Sequence, residues 1–205
     1  HETYPLYSPT PQVAEQDPDE MYIACKKAIA GAIQKGHIDK DALHLVSFSA
    51  AMHSIIAIDV NGKPLTKSIT WADSRATAWA EKISTDLNGH EIYRRTGTPI
   101  HPMSPLAKIT WLRNEHPDTF EVAHKFIGIK EYIFEKFFGE YVVDHSIASA
   151  TGMFNLETRN WDTEALNVAG ITEEQLSTLV PTTHVLRSLR PGIASELGIS
   201  AITPF

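Results

Sequence analysis

The dipeptide Asn61-Gly62 lies between two short apolar runs, Ser-Ile-Ile-Ala-Ile-Asp-Val at residues 54–60 and Leu-Thr-Lys-Ser-Ile-Thr at residues 65–70. Asn and Gly both tolerate positive φ, which a type I′ turn requires at its two central positions. The pair therefore predicts a β-hairpin and commits this stretch to antiparallel pairing.

Helical patterns surround the hairpin. Asp17-Pro18-Asp19-Glu20 reads as a helix start: Asp17 can accept from orphan amides, Pro18 suits the first helical position and Glu20 complements the N-terminal dipole. Tyr22, Cys25, Ile29, Ala32 and Ile33 then recur at helical spacing up to Gly36, a plausible stop, which predicts one face packed on a sheet. Further helices are predicted from Asp73 through Ala76, Trp79, Ala80 and Ile83, and from Ser104-Pro105 through Leu106, Ile109 and Leu112. Residues 130–138 and 163–168 also read as helical. Residues 43–48 form a short apolar run suited to a buried strand, and residues 1–8, 125–129 and 152–156 read as strand pieces. Strands and helices that interleave around a hairpin predict an α/β domain with a mixed sheet. The proline-rich residues 98–105 read as a binding or crossover loop.

The 205 residues are 42% hydrophobic, enough for one sizeable core. A net charge of -7 offers no basic patch for a phosphate backbone or an anionic membrane surface, so neither nucleic acid nor membrane is an expected partner. The uncharged residues 43–58 are fewer than the roughly 20 apolar residues of a spanning helix, and serines and histidines interrupt them. Cys25, the single cysteine, excludes an internal disulfide and suits a reducing cytoplasm. Ten histidines occur without a His-Glu-x-x-His pair, and Ser47, Ser49 and Ser54 lack the glycines of a nucleophile elbow. Neither G-x-x-x-x-G-K-[ST] nor G-x-G-x-x-G is present, so the residues themselves name no nucleotide site.

Ser49-Ala50-Ala51-Met52-His53-Ser54, the hairpin and then Ile69-Thr70-Trp71-Ala72-Asp73-Ser74-Arg75 follow in an order and spacing that resemble the sugar-binding stretch of FGGY carbohydrate kinases. Residues 4–20 are similar to the segment that enters that family's first helix, and residues 97–111 to its second sugar-facing loop. Residues 144–158, with Trp161-Asp162 beyond, resemble its Asp-x-Ser-x-Ala-Ser stretch. The wording around Met52-His53 is closer to gluconate kinases than to xylulose kinases, which usually carry Gln before Met-His.

This resemblance implies an actin-like, ribonuclease H-like fold for residues 1–205, as the sugar-binding N-terminal domain of an ATP-dependent kinase using Mg2+. It further implies transfer of a phosphoryl group to D-gluconate, with 6-phosphogluconate as product. A kinase for another sugar such as xylulose, or a non-catalytic carbohydrate-binding fragment, are the alternatives. Two family elements are expected beyond the two ends: an Asp-x-Gly-Thr phosphate loop before His1, and the turn carrying the catalytic base after Phe205. An ATP-binding C-terminal domain would follow. By this reading the segment is incomplete at both ends and inactive alone; a small sugar or sugar acid is its ligand, and a homodimer is compatible with it.

The implied sugar-binding residues are Met52, His53, Trp71, Asp73, Arg75 and Met103. Each also has a plainer role. Trp71 is either a partly buried aromatic or an apolar wall for a sugar, and Asp73 a helix cap, a hydroxyl acceptor or both. His53 is either an interior histidine or a donor to the ligand, including the carboxylate of gluconate. Met52 fills space. Met103 adjoins Ser104, whose simpler role is to cap a helix, while Asp144, Ser146 and Ser149 read as satisfying backbone amides around a turn.

Overall fold

The computed structural model describes residues 1–40 and 42–205. In chain order the elements are β1 (Glu15–Gln16), α1 (Pro18–Lys35), β2 (Ile56–Ile58), β3 (Ser68–Ile69), α2 (Thr77–Asp86), α3 (Gly89–Thr96), α4 (Pro105–Glu115) and α5 (Pro117–Val122). They continue with β4 (Lys125–Ile127), α6 (Ile129–Phe138), β5 (Val142–Asp144), α7 (His145–Ala148), α8 (Thr163–Ala169), β6 (Thr178–Val180) and α9 (Ile193–Leu197).

Local chemistry explains where the helices begin. Asp17 accepts from the amides of Asp19 and Glu20 and opens α1, and Gly36 closes it with its N–H on Ala32 O. Ser104, Asp144 and Asp162 cap α4, α7 and α8 in the same way.

The hairpin forms, although its turn differs from expectation. Gly62 has φ 73°, but Asn61 is not left-handed, so the turn is not type I′. The Asp59 carboxylate instead accepts from the amides of Asn61 (2.8 Å) and Lys63 (2.9 Å), and Gly62 N–H returns to Asp59 O. A side chain that organises its own turn relieves Asn61 of the left-handed conformation. Further along, Thr66 Oγ1 accepts from Ala57 N–H at 3.0 Å in place of a backbone carbonyl, which interrupts the ladder between the Ile58–Pro64 and Ile55–Ile69 bridges.

Through these bridges β1, β3, β2 and β4 lie side by side and antiparallel, while β5 and β6 pair in parallel elsewhere. The mixed α/β character is as expected, spread over separate short ladders. Successive residues of β2 point to opposite faces: Ile55 and Ala57 join a core with α2, α3, α4 and α8, and Ile56 and Ile58 join one with α1, α6 and α9. Helix α1 packs against α9 and α6, so its apolar stripe meets helices more than a sheet; Pro18, Met21 and Ala24 are its buried residues, whereas Ala32 is exposed.

Three predicted strands are not strands. Residues 43–48 belong to no ladder, because among the described residues their backbone finds one backbone partner, Val46 N–H to Pro204 O at 2.9 Å. Of residues 1–8, Tyr7 alone pairs, bridging to Glu15, and of residues 152–156, Phe154 bridges to Trp161. Pairing is non-local, so an apolar run becomes a strand only where a partner edge arrives.

Candidate functional site

Residues 45–52 run between two grooves. One, of about 430 Å³, is lined by Met52 and Trp71 together with Tyr4, Leu6, Cys25 and Lys130. The other, of about 490 Å³, is lined by Leu45, Met52, Asp144, Val180 and Phe205, and Lys130 reaches it as well. Met52 is 43% exposed and Trp71 60%, so both present apolar surface to the groove they line. The Lys130 ammonium is paired with Asp144, whose carboxylate also caps α7 through the amides of Ser146 and Ile147. Burial pushes the Cys25 thiol up to about 11, so it is no nucleophile at neutral pH.

His53 follows Met52 with φ 64°, in the left-handed region. Its Nδ1 lies 2.7 Å from Ala150 O. A carbonyl only accepts, so Nδ1 carries the proton and the neutral ring presents a lone pair at Nε2. Burial lowers the imidazole pKa, the Ala150 carbonyl opposes this, and the positive fields of Lys108 and His101 reinforce it. The ring therefore offers an acceptor to a ligand hydroxyl; donation to a carboxylate would require the disfavoured charged form. It lines a small cavity with Ser54, Glu131 and Thr151.

Asp73 and Arg75 are engaged internally. Asp73 is 2% exposed. Its oxygens accept from Ala14 N–H (3.0 Å), Arg75 N–H (3.1 Å) and Arg75 Nε (3.0 and 3.1 Å). The same guanidinium pairs with Glu15 and stands 4.6 Å from the Trp111 ring centroid, a bidentate and stacked arrangement that Lys could not reproduce. The Asp73 amide donates to Thr70 O, which closes the turn presenting Trp71. Thus Met52 and Trp71 share a groove, His53 abuts it through the chain, and the Asp73–Arg75 pair braces the turn from behind.

Met103 is half-buried, its amide donating to His101 Nδ1 at 3.1 Å, and Ser104 caps α4. Lys108, one turn into α4, is fully buried. Its Nζ lies 2.7 Å from His53 O, 2.6 Å from Thr70 O and 2.8 Å from Met103 O, with Ile69 O at 3.5 Å.

Residues 1–205 match the N-terminal domain of the FGGY family of carbohydrate kinases. The chain belongs to this family. It is 55% identical over 202 residues to a gluconokinase of Bacillus subtilis, a match covering 98% of the chain and 39% of that protein. Among solved structures, a gluconate kinase from Lactobacillus acidophilus superposes with a TM-score of 0.94 at 37% identity over 99% of the chain and 41% of the other. A ligand-bound xylulose kinase from the same organism gives the same identity, coverage and TM-score. The chain thus spans about two fifths of the relatives it matches, and its fold is that of the actin-like carbohydrate kinases.

Within this FGGY domain, the resemblance directed attention to the ends of β2 and β3 and passed over Lys108. A signal existed. Helix α4 is apolar nearly all round, with Pro105, Leu106, Ala107, Ile109, Trp111 and Leu112 all buried, and such a helix is enclosed on every side. A lysine within it has to be buried too.

Proposed function

We propose that the protein carrying this domain is a gluconokinase, transferring a phosphoryl group from ATP to D-gluconate to yield 6-phosphogluconate, and that this domain holds the sugar. The 55% identity to a gluconokinase over nearly the whole chain carries the reading. In it, the Trp71 indole is an apolar wall for the C–H face of the polyol, Met52 shapes the opposite wall and His53 Nε2 accepts from a hydroxyl. Met103 approaches from the α4 side. Asp73 and Arg75 serve the sugar through the Trp71 turn, since their polar atoms are already paired.

The catalytic base and Mg–ATP are assigned to parts of the protein outside these residues. Among the described residues no group of three or more His, Cys, Asp and Glu could hold a metal ion. In phosphoryl transfer the protein mainly positions the reactants and neutralises developing charge; this domain contributes the positioning of the hydroxyl. A cytoplasmic location accords with a single cysteine, which can form no internal disulfide; among the described residues no helix is long and apolar enough to cross a membrane.

A xylulose kinase is the second reading, favoured by the equal match to the ligand-bound xylulose kinase from Lactobacillus acidophilus. Competition of D-gluconate, D-xylulose and glycerol for the complete protein, followed by ADP release, separates them. The expected result is the highest kcat/KM for D-gluconate; a ketose or glycerol preferred over gluconate would sink the assignment and leave the family intact.

A further inference from the structure

Lys108 does something that packing alone does not ask of it. A methionine or leucine would fill the same place in α4 without desolvating an ammonium, which is costly in a protein interior. The ammonium has three protons, and three carbonyl oxygens lie within 2.8 Å of it. Those carbonyls belong to three segments that meet nowhere else in sequence: His53 at the approach to β2, Thr70 just before Trp71, and Met103 in the loop before α4.

The consequence is geometric. His53 is left-handed, a conformation that non-glycine residues hold only when their surroundings over-determine it. Its carbonyl is tied by Lys108 and its ring by Ala150. On the hairpin's other arm, Thr70 O takes both Lys108 Nζ and the Asp73 amide, and the next residue is the exposed Trp71. Burial pulls the Lys108 pKa down to about 7, and of the charged groups that act on it Asp73 favours the ammonium and Arg75 opposes it; the three carbonyl contacts are those its charged form can hold.

We propose that Lys108 is a positioning residue of the sugar groove, whose ammonium joins the His53, Thr70 and Met103 carbonyls and so sets how Met52 and Trp71 face each other. This rests on the reading that the groove takes the sugar. It adds that the two walls are not independent.

The test uses the complete protein with Lys108→Met and Lys108→Arg, the second keeping the charge in a planar fork that cannot converge on three carbonyls. Hydrogen exchange needs no sugar and comes first. Amides at residues 52–55, 70–73 and 103–104 should exchange about tenfold faster in Lys108→Met, while those of β5, β6 and α9 keep their protection, as expected of a local opening. With the sugar that the wild-type enzyme prefers, kcat/KM should fall about 100-fold, chiefly through the KM of the sugar with that of ATP unchanged, the scale of a displaced binding group. Uniformly faster exchange, failure of both variants to fold, or an unaltered sugar KM in a folded variant would each overturn the proposal. Wild type preferring a different sugar would count against the gluconokinase assignment alone, because the exchange pattern does not depend on it.

Discussion

The two sides of the candidate site are built differently. Behind Trp71 the charged side chains are paired: Asp73 with Ala14 and Arg75, Arg75 with Glu15 and Trp111, and the neighbouring carbonyls with Lys108. Residues 43–52 have one backbone hydrogen bond to another part of the described chain, Lys108 holds only the His53 carbonyl that follows them, and they expose Leu45 and Met52 to grooves on both sides. A closed hydrogen-bond network fixes geometry, because leaving any member unpaired in the interior costs free energy. An apolar strip with free backbone fixes little by itself and is shaped by what lies against it. The domain therefore presents one rigid wall and one adaptable wall to the same groove.

The largest expected effect breaks the rigid wall. Asp73→Ala strands the Arg75 guanidinium and the Ala14 amide, and should lower stability by about 3–5 kcal/mol, as loss of one partner of a buried pair does. Chemical denaturation of the complete protein measures it. Weaker gluconate binding without any loss of stability would instead make Asp73 a direct sugar contact.

The second effect concerns Glu131, at the small cavity where the two sides meet. Its carboxyl is 6% exposed and accepts from Gly128 N–H at 2.7 Å. Burial pushes its pKa up to about 7, which Asp144 reinforces, while the Gly128 amide and Lys130 oppose; Lys125 also faces it. The folded chain thus keeps a proton that the unfolded chain releases near pH 4.5. The sign follows from linkage: this contribution is complete below the unfolded value and is lost as pH rises through 7. From pH 5 to 7.5 wild type should lose on the order of 2 kcal/mol relative to Glu131→Gln. Parallel stability curves for the two proteins would refute it.

The smallest effect probes the adaptable side. Trp71 and Met52 are exposed, so Trp71→Ala and Met52→Ala should change stability by less than about 0.5 kcal/mol. Calorimetry with D-gluconate should nevertheless show Trp71→Ala weakening binding by roughly 1 kcal/mol, about fivefold in Kd, from the lost aromatic face. Unchanged affinity would remove Trp71 from the sugar wall.

What the residues alone could specify was local. The ends of α1 follow from Asp17, Pro18 and Gly36, and the start of α4 from Ser104 and Pro105, because caps act within one turn. The hairpin was legible from Asn61-Gly62 for the same reason, though the Asp59 carboxylate took over the turn and altered its type. Met52-His53 and Trp71-Ala72-Asp73-Ser74-Arg75 carried the family resemblance in their spacing. What each of these residues touches was decided elsewhere: residues 43–48 have a strand's composition but no partner edge, β5 and β6 pair only because distant segments meet, and Asp73 turns from the groove to Ala14 and Arg75. The role of Lys108 is the clearest case. Its three carbonyl partners converge only after two hairpin arms and a loop have packed on α4, and no pattern along the chain encodes which oxygens will face one buried ammonium.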